Sequence, residues 1–352
     1  MTILFAILLF SFLIFIHELG HFLAAKASGV RVNEFSMFLG PAIFKKQVGE
    51  TLYSIRCIPI GGYCAMEGEN EDTDDPRSFQ KAAWWKRLII LVAGSFMNLI
   101  AGFLIMVIVF LPVKQFIVPV IDSVDPGCSI VYDGGLQIGD RFLEIDGEKI
   151  YVQSDFSMIM TLKQNKENRH DITVLRDGKK VVLNDFYMEK HLFPGEKTER
   201  YGFSFGVEDA TFGSKLENAF NSGINVVRSV RMSLQMIISG QAGLSDMTGP
   251  VGIVQMMSDT AESSKTTLDA VMNMLYFGGF IAINLAVMNM LPIPALDGGR
   301  VLGLLLTCAI EKITRKKLDA KYEGYIHGIG MVLLLALMAV ILFKDIFVIF
   351  KR

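Results

Sequence analysis

Four stretches of the chain, roughly Ile3 to Ala27, Leu88 to Leu111, Val271 to Leu291 and Ile329 to Phe350, stay apolar long enough to cross a lipid bilayer. At about 1.5 Å of rise per residue, about 20 helical residues match a hydrocarbon core about 30 Å thick. Backbone in lipid must satisfy its own hydrogen bonds, so each stretch is restricted to helix. The composition agrees, at 51% hydrophobic and 20% charged residues with a mean hydropathy of +0.42, which is too apolar for ordinary soluble domains. A formal net charge of -2 leaves no basic surplus for a phosphate backbone, which argues against a nucleic-acid partner. Cys57, Cys64, Cys128 and Cys308 show no CxxC spacing, so neither a disulfide framework nor a thiolate metal site is expected. The first stretch lacks a basic flank and runs straight into His17-Glu18-Leu19-Gly20-His21 without a small-residue cleavage site. It is expected to be a retained span rather than a signal peptide.

That pentapeptide carries the chemistry. Residues four apart on a helix share a face, so His17 and His21 can present two imidazoles to one metal ion, for which zinc is the expected choice. Glu18 lies beside them, where a carboxylate can take a proton from water and return it to a leaving amine. The bland alternative, polar residues closing a span near the headgroups, leaves three ionisable groups at an apolar helix end without a common partner. A catalytic zinc needs a third protein ligand and an open fourth position. His170, His191, His327 and acidic residues near a span are the candidates. Asp297 is the best placed, because it follows the third span at the same membrane face as His21. Pro292 and Pro294 break the helix ahead of it, and Gly298 and Gly299 permit close backbone approach.

The links between spans one and two (Lys26, Arg31, Lys45, Lys46) and between spans three and four (Arg300, Lys312, Arg315) are rich in basic residues, which keeps both in the cytoplasm and puts the termini and the central segment outside. Lys351 and Arg352 pull the other way. The central segment is expected to be a soluble insertion. Strands are predicted at Val118 to Val124 and Arg141 to Ile145, a helix at Asp155 to Leu162, and a hairpin from Asp171 to Asn184 about the Asp177-Gly178 turn. The run Gly135-Leu136 to Gly139-Asp140, continuing to Ile145-Asp146-Gly147, resembles the PDZ pattern, in which a peptide adds a strand to an open sheet edge. Thr51 to Met66 has a strand-like pattern with a glycine turn, and Glu67 to Asp75 is expected to be a solvated acidic loop. The Gly249-Pro250-Val251-Gly252-Ile253 stretch is expected to be a gating turn or a plain connector.

HELGHF at His17 to Phe22, NMLPIPALDGG at Asn289 to Gly299 and FQKAAWWKRLIILVAGSFMNLIAG at Phe79 to Gly102 together resemble the site-2 protease family of intramembrane metalloproteases (peptidase family M50). The chain closely resembles its PDZ-containing bacterial branch, of the regulator-of-sigma-E-protease type. The resemblance covers nearly the whole chain. It implies a polytopic α-helical membrane protein of about four spans, with a membrane-associated β-loop and one inserted α+β PDZ-like domain. The implied division is residues 1–111 with the first two spans, 112–200 as the PDZ-like domain, 201–270 as a connector, and 271–352 with the last two spans. It further implies zinc held by His17, His21 and Asp297, Glu18 as general base, and Asn289, Gly61, Gly62 and Tyr63 as substrate-binding. The implied substrates are single-span membrane proteins, such as anti-sigma factors or remnant signal peptides, cut in the cytoplasmic membrane near its inner face. Only one PDZ-like module fits, rather than a tandem pair. A non-catalytic PDZ scaffold is the competing reading, and Glu18 beside two histidines argues against it. An alkaline-phosphatase fusion after Lys149 is expected to be active and one after Arg77 inactive; the opposite pattern would invert the orientation.

Overall fold

The computed structural model of the protein describes every residue except 1, 70–72, 127, 129, 133, 164–166, 194–197, 244–247, 265, 316–319 and 352. In chain order the elements are α1 (Thr2–Ser28), β1 (Val32–Val48), β2 (Thr51–Met66), α2 (Trp84–Phe110), β3 (Gln115–Val124), β4 (Arg141–Ile145), β5 (Glu148–Lys149), α3 (Gln153–Leu162), β6 (Arg169–Arg176), β7 (Lys179–Tyr187), β8 (Phe203–Asp209), α4 (Phe212–Ile238), α5 (Pro250–Glu262), α6 (Thr267–Asn289), α7 (Asp297–Thr314) and α8 (Ala320–Lys351). Among the described residues, four helices are long and apolar enough to cross a membrane: Ile3–Ser28, Trp84–Phe110, Thr267–Asn289 and Gly328–Asp345. They coincide with the four expected spans to within a few residues. The chain divides into two compact units, residues 1–105 with 242–352, and residues 106–241.

In the first unit, α1 and α2 cross closely. A Cβ on Gly20 would lie 2.4 Å from the Ala93 carbonyl oxygen, and one on Gly94 would lie 2.3 Å from His21 Nε2. Small residues at such a crossing let two backbones touch, which is how helices gain packing contacts where lipid removes the hydrophobic drive. The N-terminal half of α1 packs on α5 and α6 through Leu9, Leu13, Met257 and Ile281, and Gly278 admits the Leu9 side chain. The C-terminal half packs with β1, β2, α2 and α7 around Val32, Phe35, Cys64, Ile90 and Leu304.

β1 and β2 form more than one simple hairpin. Val48 to Ala42 pairs with Thr51 to Arg56, while Glu34 to Met37 pairs both with Leu52 to Ile55 and with Ala65 to Gly62. The expected Thr51 to Met66 strand is therefore present, and the whole of β1, bent at Phe38 and Gly40 with φ 72° and 87°, joins it. One face of this sheet is aromatic and lies on α1, with the Phe22 and Phe35 ring centroids 5.0 Å apart. The other is polar. Arg56 donates to Glu34 at 2.8 Å, to Ser36 at 3.0 Å and to the Gly40 carbonyl at 2.6 Å, which ties together segments distant in sequence.

Two expectations need correction. The acidic stretch after β2 is partnered rather than merely solvated: Glu67 accepts from Asn33 at 2.7 Å, Asp75 accepts from Arg31 at 3.2 Å, and Glu69 pairs with Arg300 of α7. Opposite charges lie within reach once the chain folds back, which a linear charge count does not show. The stretch expected to be a connector is largely helical. Its later part, α5, belongs with the first unit, because Met257 is fully buried and Ile253, Val254 and Met257 present one apolar helix face to α1 and α6. Gly249 caps α5, and the carboxylate of Asp345 in α8 accepts from Gly252 N–H at 3.0 Å, placing negative charge at a helix N-terminus.

The second unit contains a sheet of order β7-β6-β4-β3-β8, with β5 on β4. The predicted strands and the α3 helix are all found, and Asp177 and Gly178 both take positive φ, 48° and 75°, as the tight hairpin requires. The sheet runs past the expected boundary at residue 200, since β8 pairs with β3 from Gln115↔Asp209 to Val124↔Phe203. Phe142 is fully buried and stacks among Phe156, Phe203 and Phe205. α4 is strapped to this unit by charge. Arg231 meets Glu148 at 2.6 Å, and Arg228 meets Asp155 at 3.3 Å. Burial alone would raise the Glu148 carboxyl, but Arg231, Lys163 and Arg228 around it hold it below the usual carboxylate range. Truncating the central ring, Phe142→Ala, is expected to cost about 3–5 kcal/mol, read as faster hydrogen exchange at β4 and β6 amides in the full-length protein.

Candidate metal and catalytic site

His17 and His21 lie one turn apart on α1, and Asp297 is the first residue of α7. The structure brings the three together. His17 Nε2 and His21 Nε2 are 3.1 Å apart, and Asp297 Oδ2 lies 3.2 Å from the first and 3.4 Å from the second. One ligand atom from each falls within 4.8 Å of the others, and among the described residues this is the only such cluster of three metal-binding side chains. Of the other histidines weighed for the third position, His170 is paired with Asp146 at 2.6 Å and His191 bridges to Arg200, both in the second unit. The side chain of His327 lies outside the described residues.

The path to Asp297 is built by backbone geometry. Ala295 takes φ 80°, a left-handed conformation that a non-glycine residue adopts only under constraint. A Cβ on Gly298 would lie 2.3 Å from the Met290 carbonyl, and one on Gly299 2.2 Å from the Ile293 carbonyl. The two glycines thus let α7 start hard against the chain that precedes it. Pro294 is fixed from the other side, where a Cβ on Gly330 of α8 would strike it at 2.3 Å.

α2 supplies a face that the motifs did not reveal. The Ile90 carbonyl accepts from His21 Nδ1–H at 2.8 Å, which leaves the lone pair of His21 on Nε2, toward Asp297. Gly94 lies directly against both imidazoles. Both positions fall inside the Phe79 to Gly102 run, but only contact with α1 separates them from the other residues of an apolar helix. Glycine in mid-span is the one local signal that could have drawn attention to α2.

The donor set tests whether a metal fits. Asp297 Oδ2 is buried and has no conventional hydrogen-bond donor. Burial would push its carboxyl up, yet the imidazoles of His17 and His21 beside it hold it well below the usual range. Two imidazole nitrogens and one carboxylate oxygen converge as Lewis bases on one point. A proton can bridge only two of the three, whereas a divalent cation accepts all three.

The remaining expected residues fall near the site or away from it. A Cβ on Gly62 would be 3.5 Å from Glu18 Cγ, so the β2 edge runs directly past the glutamate. Gly61 takes φ 81° and turns that edge. Tyr63, pointing oppositely, lies under Arg56, whose guanidinium is 5.3 Å from the ring centroid. Asn289 is the half-buried last residue of α6 and makes no side-chain hydrogen bond among the described residues.

Residues 5–337 match the profile of peptidase family M50. The chain belongs to that family. A Clostridium perfringens chain provisionally named a zinc metalloprotease is 36% identical over 352 residues, covering 98% of each chain. The zinc metalloprotease RasP of Bacillus licheniformis is 28% identical, again over 98% of each, and the regulator of sigma-W protease RasP of Bacillus subtilis is 27% identical over the same shares. For this M50 member, Gly94→Ala is expected to displace the imidazoles and abolish metal retention, measured as metal content after purification.

Proposed function

We propose that the chain is an intramembrane zinc metalloendopeptidase that hydrolyses peptide bonds in or near the transmembrane segments of single-span membrane proteins. The observation that carries this reading is the convergence of His17, His21 and Asp297 at the end of an apolar helix, with Glu18 alongside. The names of the relatives support zinc as the metal. The name of the Bacillus subtilis relative ties that protein to sigma-W, which favours membrane-tethered anti-sigma factors as the substrate class here, with remnant signal peptides of similar chemistry.

His17 and His21 would hold the ion through Nε2 and Asp297 through Oδ2. When bound, zinc supplies Lewis acidity that polarises a carbonyl and makes water a stronger acid. Glu18 accepts the proton from the attacking water and passes it to the departing amine. A substrate helix has its peptide groups bonded internally, so it must open before cleavage. The Gly61 to Tyr63 edge offers an opened segment backbone partners by strand addition, and Gly62, without a side chain, lets that segment approach Glu18. Asn289 is assigned to substrate backbone. The β-rich second unit is read as a single PDZ-like module outside the cytoplasm that binds a peptide or substrate segment, with the active site near the cytoplasmic face of the cytoplasmic membrane.

Cleavage of a tagged single-span substrate by the Glu18→Gln variant is expected to fall about 10²- to 10⁴-fold with zinc content unchanged. Equal cleavage by both proteins would remove Glu18 from the reaction and revive the scaffold reading.

A further inference from the structure

α2 meets the two imidazoles through a regular series on one helix face: Ile90, Gly94 and, one turn further, Asn98. The first fixes His21 through its carbonyl. Asn98 is 1% exposed, its carboxamide lies 3.5 Å from His17 Nδ1 through the atom assigned as nitrogen, and its Oδ1 is buried without a partner. A carboxamide turned by half a revolution exchanges those two atoms with no change of shape. With nitrogen toward His17, Nδ1 has to accept, the ring proton falls on Nε2 among the ligand atoms, and the Asn98 oxygen stays orphaned. With oxygen toward His17, Nδ1–H donates to it, the amide nitrogen takes the oxygen's former place, and the Nε2 lone pair faces Asp297 and His21.

We propose that Asn98 is the positioning residue for His17, accepting from Nδ1–H so that Nε2 is the ligand atom, as the Ile90 carbonyl does for His21. This inference rests on the zinc reading above. It makes α2 the outer shell of the site: one backbone carbonyl and one side-chain carbonyl, two turns apart, orient the two ligands that α1 carries one turn apart. Outer acceptors of this kind set the tautomer and ring angle of a ligating histidine, and their loss weakens metal binding by about 10- to 100-fold.

The test measures zinc affinity by chelator competition on purified full-length protein in detergent. It compares the wild type with Asn98→Leu and Asn98→Ala, which lose the acceptor without and with loss of volume respectively, and with Asn98→Asp, which keeps it. The melting temperature of each metal-free protein is recorded alongside. The expected result is an affinity about 10- to 100-fold weaker for the Leu and Ala variants and restored to within a few-fold by Asp, regardless of how the metal-free melting temperatures rank. Wild-type affinity in the Leu or Ala variant, or an Asp variant as weak as Ala, would overturn the assignment while leaving the zinc reading intact. Failure of the wild type to bind zinc would overturn both.

Discussion

Two imidazoles and a carboxylate buried in the second half of an apolar helix find few partners among lipid and packed side chains, so beyond the Ile90 carbonyl and the Asn98 carboxamide they must satisfy one another. The surrounding structure follows from that constraint. α1 can carry the histidines only if α2 comes close enough to receive them, and Gly20 and Gly94 make that crossing possible. α7 can deliver Asp297 only if its first turn sits tightly against the segment after α6, and Gly298 and Gly299 make room for it. A methyl group at Gly20, Gly298 or Gly299 would separate backbones that have to touch, and one at Gly94 would strike the two imidazoles.

The β1/β2 sheet solves a second problem. It lies beside membrane-spanning helices, yet its backbone bonds are paired across four segments and its polar residues are gathered on one face around Arg56 and Glu34. Burial would raise the Glu34 carboxyl, but hydrogen bonds from Ser54, Arg56 and Tyr63 hold it below the ordinary range, so the face persists as a charged network. The opposite, aromatic face seats the sheet on Phe22 of α1. This two-faced construction sets the β2 edge, and Gly62 within it, beside Glu18. The Glu69–Arg300 pair then joins the end of β2 to α7 one turn beyond Asp297.

The second unit is built on different terms. Its core is aromatic and aliphatic around Phe142 and Ile172, and α4 is held by ion pairs to Glu148 and Asp155 rather than by apolar burial alone. Charge holds a helix in the second unit. The site in the first unit uses backbone contact, where an unpaired charge would be far more costly.

The four spans, the His17-Glu18-His21 turn, the candidacy of Asp297 and the strands about Asp177-Gly178 were legible in the residues themselves, because each depends on local rules: length of apolar run, helix periodicity, turn chemistry. The partners of those residues were not. Nothing in the sequence of α2 ties Ile90 or Asn98 to a histidine until α1 is packed against it, since a backbone carbonyl carries no sequence signal and the lone amide of the span, conspicuous as it is, does not name its partner. β1 was missed for the same reason: its pairing is with chain on both sides of it, and its alternation is broken by the irregular register. The acidic stretch after β2 looked solvated because charge partners such as Arg300 are distant in sequence. The sequence by itself determined which atoms could bind a metal and that they lie at the end of a membrane helix. Only the tertiary structure decided that three of them converge, because convergence requires close approach between helices that are far apart along the chain.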